Sequence, residues 1–246
     1  MPEHGRWVAQ GLGKLNITNW RDRTEPLQER KFYILFLTLL VYLVVYPYVQ
    51  HSGTDYVGFR IFACAVTLLS VYAVSFRRSF GLLALGLAAP TIVRHAMLIE
   101  GNEGTFPLLV TIFSFLFDLA VVVIIFRRVF AMDQPNSEAI FGALCVYLLV
   151  GFSFANGYLL LASMQPHAFS FDPAANFHRS PTRFSFIYYS FGTMTSLGAP
   201  GITPSSDVAR SLTIMQAILG VLYLAVLIAR LLSLYKKPLK TDDSPL

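Results

Sequence analysis

The sequence predicts an all-α integral membrane protein, with six membrane-crossing helices and a re-entrant helical segment between the fifth and the sixth. Three observations predict it. Of 246 residues only 13% are charged and 55% are hydrophobic, against roughly 25% charged in soluble domains, and mean hydropathy is +0.57. Six segments are apolar over about the 20 residues that a hydrocarbon core roughly 30 Å thick demands: residues 31–50, 57–76, 79–99, 106–126, 138–163 and 208–235. Between the last two lies 184–204, too rich in Gly, Pro and polar residues to cross as a helix. Irregular backbone at membrane depth persists only where protein buries it or where it lines water.

The elements follow in chain order. Residues 1–30 read as a basic arm broken by Pro2, Gly5, Gly11, Gly13 and Pro26. It is either an interfacial helix around Trp7–Leu15, apolar side on the membrane, or a disordered tail. Residues 31–126 form a unit of four crossing helices with short loops. Pro90 falls in the interior of the third, where it is expected to kink the helix. Residues 127–137 are a linker; Pro135 stops one element, and Asn136 or Ser137 caps the next. Residues 138–235 hold the fifth helix, an outer loop rich in Pro, Ser and Asn, the re-entrant segment and the sixth helix, capped by Ser206 or Asp207. Residues 236–246 are a short tail.

Basic residues set the orientation. Arg6, Lys14, Arg21, Arg23, Arg30 and Lys31 precede the first span, Arg77 and Arg78 follow the second, Arg127 and Arg128 the fourth, and Lys236, Lys237 and Lys240 the sixth. With six crossings these share one side, and the loops on the other side from His51 and from Glu100 contain no Lys or Arg. The positive-inside rule puts both termini in the cytoplasm. Arg179, Arg183 and Arg210 then fall on the outer side, beside the mouth of the re-entrant segment. The net charge of +5 is thus an orientation signal and not a nucleic-acid face. Cys64 and Cys145 lie inside spans and read as small packing residues. No phosphate-cradling glycine loop, zinc-ligand cluster or nucleophile elbow is present, so no enzyme activity, metal site or cofactor is expected.

The stretch Tyr188 to Pro204 reads YYSFGTMTSLGAPGITP. Without a gap it resembles the filter region of the potassium-channel superfamily, YFSF-x-TLTT-x-GYGDI-x-P, and the following SDVARSLTIMQAILGVLYLAVLIARL is similar to that family's inner helix. The resemblance covers roughly the last 100 residues and is nearest to bacterial members with a helix–pore–helix module. It implies a pore helix, a filter loop and a homotetramer closed by cyclic symmetry. The implied setting is a bacterial inner or plasma membrane, with lipid and a monovalent cation, potassium in the family, as partners.

The resemblance carries the ion pathway onto Thr195, Ser196, Leu197, Gly198, Ala199, Pro200 and Gly201. In such filters backbone carbonyls replace an ion's water shell. Ser196 keeps a hydroxyl at the family's threonine, and Gly198 keeps its first glycine. Ala199 removes the aromatic ring behind the filter. Pro200 stands at the second glycine, where its fixed φ forbids a positive value. Gly201 replaces the Asp that tethers the outer mouth. The expected result is a weakly selective outer mouth or a pore that conducts nothing. The rival function is a non-conducting scaffold or modulatory subunit with a channel fold. Gly220 is a gating-hinge candidate by resemblance and a close-packing glycine by membrane physics. Gln216 either bonds across helices or lines the cavity.

The fourth span carries no basic residue and one acid, Asp118. A row of positive charges that could move in the field is missing, so strong voltage sensing is not expected. A carboxylate there needs a partner. Counting helical rise from the inner ends of the two spans matches Asp118 in depth with Arg230, which makes the two a candidate ion pair.

Overall fold

In a computed structural model the described residues are 31–52, 56–75, 78–96, 105–131, 137–174 and 182–235. The basic arm with its Trp7–Leu15 segment, the centre of the 127–137 linker and the tail from 236 lie outside them. Among the described residues seven helices and two short strands follow in order: α1 Lys31–Ser52, α2 Tyr56–Val74, α3 Arg78–Ala96, α4 Thr105–Phe130, α5 Ser137–Met164, β1 Phe169–Phe171, α6 Arg183–Met194, β2 Ile202–Pro204 and α7 Asp207–Tyr235.

Among the described residues, four stretches are long and apolar enough to cross a membrane: Lys31–Tyr48, Leu108–Phe130, Ser137–Met164 and Asp207–Arg230. Arg60–Val74 and Ser79–Val93, within α2 and α3, are apolar but shorter. Pro90 falls inside α3 without ending it.

The helices pack as a ring. α1 lies on α2, α2 on α3, α3 on α4, and both α4 and α1 pack on α5. The first four helices are therefore closed by α5. Their inward faces repeat at helical spacing. Phe32, Leu35 and Leu39 supply one stripe, Phe117, Val121 and Ile125 another, and Val146 and Leu149 a third. In lipid there is no hydrophobic drive between helices, so close van der Waals contact and small residues do the joining. Ala63, Ala73, Ala84, Ala88 and Ala143 are all buried at these contacts. Cys145 is buried with them, its thiol donating to Phe32 O at 3.3 Å. Neither cysteine is in a disulfide.

α6 packs on α5, and α7 packs on α6 and less on α5. Thr182 and Ser185 start α6 with a reciprocal capping box: Ser185 N donates to Thr182 Oγ1 at 3.3 Å and Thr182 N donates to Ser185 Oγ at 3.1 Å. This satisfies two of the amides that a helix start leaves open. At the start of α7, Ala209 N donates to Ser206 Oγ at 3.2 Å. Ser206 is thus the cap, while Asp207 lies in the first turn and pairs loosely with Arg210 at 3.5 Å.

The strands form an antiparallel ribbon, Phe169 opposite Pro204 and Phe171 opposite Ile202. Asp172 N to Gly201 O at 3.0 Å and Ser205 N to Ala168 O at 2.8 Å extend it at either end. The all-helix expectation missed this ribbon. Its strands are only three residues long, and one sits inside a loop whose composition masks the Phe–Ser–Phe alternation.

Candidate functional site

α6 ends at Met194, and the chain turns at once. Thr195 N donates to Phe191 O at 2.9 Å and its hydroxyl to the same carbonyl at 2.7 Å. Ser196 then takes φ 58°, with its amide on Thr193 O at 3.2 Å. A left-handed residue just past the last turn is a common helix stop. Thr195, Ser196, Leu197 and Gly198 are all exposed, Leu197 at 77%. Thr195 and Ser196 therefore present their oxygens at the C-terminal end of α6, which carries partial negative charge.

The loop next folds back on α6. Gly198 has φ 82°, and its amide donates to Gly192 O at 3.1 Å. A Cβ on Gly192 would lie 2.6 Å from Gly198 O, so only glycine admits the loop this close.

The last three residues of the sequence-read pathway stand differently. Ile202 N donates to Ala199 O at 3.3 Å, and Gly201 has φ 96°. With Pro200 and Gly201 as its central pair, Ala199–Ile202 has the features of a type II β-turn. Pro200 needs no positive φ because Gly201, one residue later, supplies it. Ala199 packs against the aromatic cluster behind the loop. These three residues form a bend that feeds β2. The Pro-Gly pair in the sequence was the available signal for it.

The ring missing at Ala199 has a substitute. Tyr158 of α5, Phe169 of β1 and Tyr189 of α6 meet edge to face, with centroids 5.0–5.6 Å apart. Phe186 joins through Phe169 at 5.5 Å. Tyr189 Oη and Thr213 Oγ1 are 2.7 Å apart, and Thr213 spends its own proton on Ala209 O, so Tyr189 is the donor. This wall comes from three separate elements, which hid it in the sequence.

Gln216 is completely buried. Tyr158 Oη donates to its Oε1 at 2.7 Å, and its Nε2 donates to Ser190 Oγ at 2.7 Å and Ser190 O at 3.1 Å. Ser190 Oγ passes its proton to Gly151 O at 2.6 Å. Gln216 is thus a clasp joining α5, α6 and α7. The cavity-lining role is corrected: every polar atom of its amide is engaged inside the chain.

Gly220 is buried against the end of α6. A Cβ there would fall 2.6 Å from both Met194 O and Met194 Cγ. The contact explains the glycine through close packing, within a helix that runs unbroken to Tyr235.

The pair Asp118–Arg230 is not formed. Asp118 Oδ2 accepts from Asn156 Nδ2 at 2.6 Å. Arg230 donates to Phe130 O at 2.7 Å and stacks on the Phe130 ring at 4.4 Å. Phe130 lies about 18 Å along α4 from Asp118 by helical rise, so counting inward from the span ends misjudged the depth. Arg183, read as a charge at the outer mouth, instead turns inward and lines a cavity that Asp118 and Asn156 also line.

A family model described as an ion channel matches residues 138–237. No curated protein and no solved structure matches the chain. The matched stretch runs from the start of α5 past the end of α7 and contains the helix–loop–helix with the exposed turn at its centre. Residues 138–237 are an ion-channel pore domain of the potassium-channel superfamily, carried in an integral membrane protein.

Proposed function

We propose that four copies of this chain assemble around an axis and pass monovalent cations along Thr195, Ser196, Leu197 and Gly198. The observation that carries the reading is the exposure of those four residues at the C-terminal end of α6. One copy cannot enclose a path; a closed ring of identical copies can. The surface of α7 supports this. Ile214, Ile218, Val221, Leu222 and Ile228 are all more than half exposed in the single chain, and need lipid or neighbouring copies to cover them.

Potassium selectivity is not expected. A filter of that kind needs several successive carbonyl rings, and here the chain turns away after Gly198 into the Ala199–Ile202 turn. The pathway is short, with a mouth set by Pro200 and Gly201. Both termini face the cytoplasm, as the distribution of Lys and Arg directs. α4 lacks basic residues before Arg127, so opening does not depend strongly on voltage.

The test is flux through the purified chain reconstituted in liposomes, with potassium, sodium and a large organic cation compared, beside the mass of the assembly in nanodiscs. Comparable potassium and sodium flux from a tetramer supports the proposal. Strong preference for potassium overturns the selectivity reading. A tetramer with no flux favours the scaffold, and a monomer ends both.

A further inference from the structure

A cavity of about 80 Å³ lies inside the helix ring and is lined from all of α1 to α6. Its polar wall holds Thr67, Ser70, Thr91, Ser114, Asp118 and Asn156, and Arg183 enters it from the first turn of α6. The protons of its Ser and Thr hydroxyls are already committed. Thr67 donates to Ala63 O, Ser70 to Val66 O and Ser114 to Val110 O, at 2.8–2.9 Å. Since Ser114 is a donor there, Thr91 must donate to Ser114 Oγ, 2.8 Å away. Each hydroxyl proton is spent in these bonds, so the free valence of all four groups is lone pairs. Asp118 adds a carboxylate held by Asn156.

Arg183 is the complement. Its Nε and Nη2 are buried with no hydrogen-bond partner among the described residues. A guanidinium offers donors only and stays charged. An anion would meet lone pairs and a carboxylate on the opposite wall. Water, which donates and accepts, suits both sides, and the volume holds more than one molecule.

We propose that Arg183 and Asp118 form a water-bridged ion pair that fastens the first turn of α6 to the ring of α1–α5. The ring thereby sets the position of α6 and of the loop at its far end. Arg183 and Asp118 are positioning residues and touch no permeating ion. The pair also gives α1–α4 a role that needs no moving charge.

The test is hydrogen exchange of the α6 amides in the full chain in nanodiscs, which does not depend on whether the protein conducts. Removing one member of a buried pair strands the other, whereas removing both does not. R183Q and D118N should each speed exchange across α6 by about a hundredfold or more. The double variant D118N/R183Q should exchange more slowly than either single one, and R183K should stay nearer the wild type than R183Q. Single variants without effect, or a double variant whose change is the product of the two, overturn the pair. Should R183Q or D118N alone fail to fold, recovery in the double variant supports the proposal and continued loss overturns it.

Discussion

Gln216 Nε2 sits 2.7 Å from Ser190 Oγ and 3.1 Å from Ser190 O, so α7 holds the middle of α6 by a bifurcated bond. The other end of the same amide holds Tyr158 of α5. At a site as fully buried as Gln216 and Ser190, such a bond is worth more when lost than when made.

Gln216→Leu should therefore destabilise the protein strongly. It strands the Tyr158 hydroxyl and removes the donor from Ser190, at about 1–3 kcal/mol for each buried group left unsatisfied. Tyr158→Phe removes one bond and strands only an acceptor, and should cost about 1 kcal/mol. Thermal unfolding of the purified chain in detergent ranks the two, and equal melting temperatures would refute the clasp.

Gly220→Ala tests close packing against hinge motion. The added methyl meets Met194 O at 2.6 Å, and a backbone oxygen cannot move aside as a side chain can. Overpacking of this kind costs about 1–3 kcal/mol. Melting temperature should fall, and Met194→Ala in the same chain should not restore it, because the carbonyl remains. Full rescue would show that only the Met194 side chain was in the way.

Gly201→Ala should destabilise the mouth, since φ 96° lies where L side chains carry about 1–3 kcal/mol of strain. Pro200→Ala should cost less, about 0.4–1 kcal/mol, through a looser unfolded chain. Protease sensitivity of the loop between α6 and β2 and the melting temperature both report this order. The reverse order would argue against the type II turn.

Thr182→Ala should fray the start of α6. It removes the acceptor of the capping box, at about 1 kcal/mol. Faster amide exchange confined to the first turn of α6 is the expected readout. Unchanged exchange there would mean that packing alone holds the turn.

Much of this was legible in the sequence and some of it was not. Apolar runs and the resemblance at Tyr188–Pro204 fixed the helices and their order around the candidate pathway. Counting crossings puts Arg183 beside the mouth with Arg179 and Arg210, but its side chain lines the cavity of the ring. Helical spacing held the correction: Arg183 and Ile187 are four residues apart and share a face, and Ile187 is buried against the ring. The same gap appears at Ala199–Ile202. The comparison with a glycine-bearing filter drew attention to the forbidden φ of Pro200 and away from Pro-Gly as a turn in its own right. The pairing of β1 with β2 could not be read at all, because it joins residues more than 30 positions apart through backbone groups that every residue has.

The ribbon between Phe169–Phe171 and Ile202–Pro204 ties the Ala199–Ile202 bend to the chain just past α5, like a lever with its handle there. A binder that grips the chain at β1, beyond Met164, such as an antibody fragment, would tug on the bend through backbone bonds. It should alter passage without coming near the four residues where ions are proposed to move.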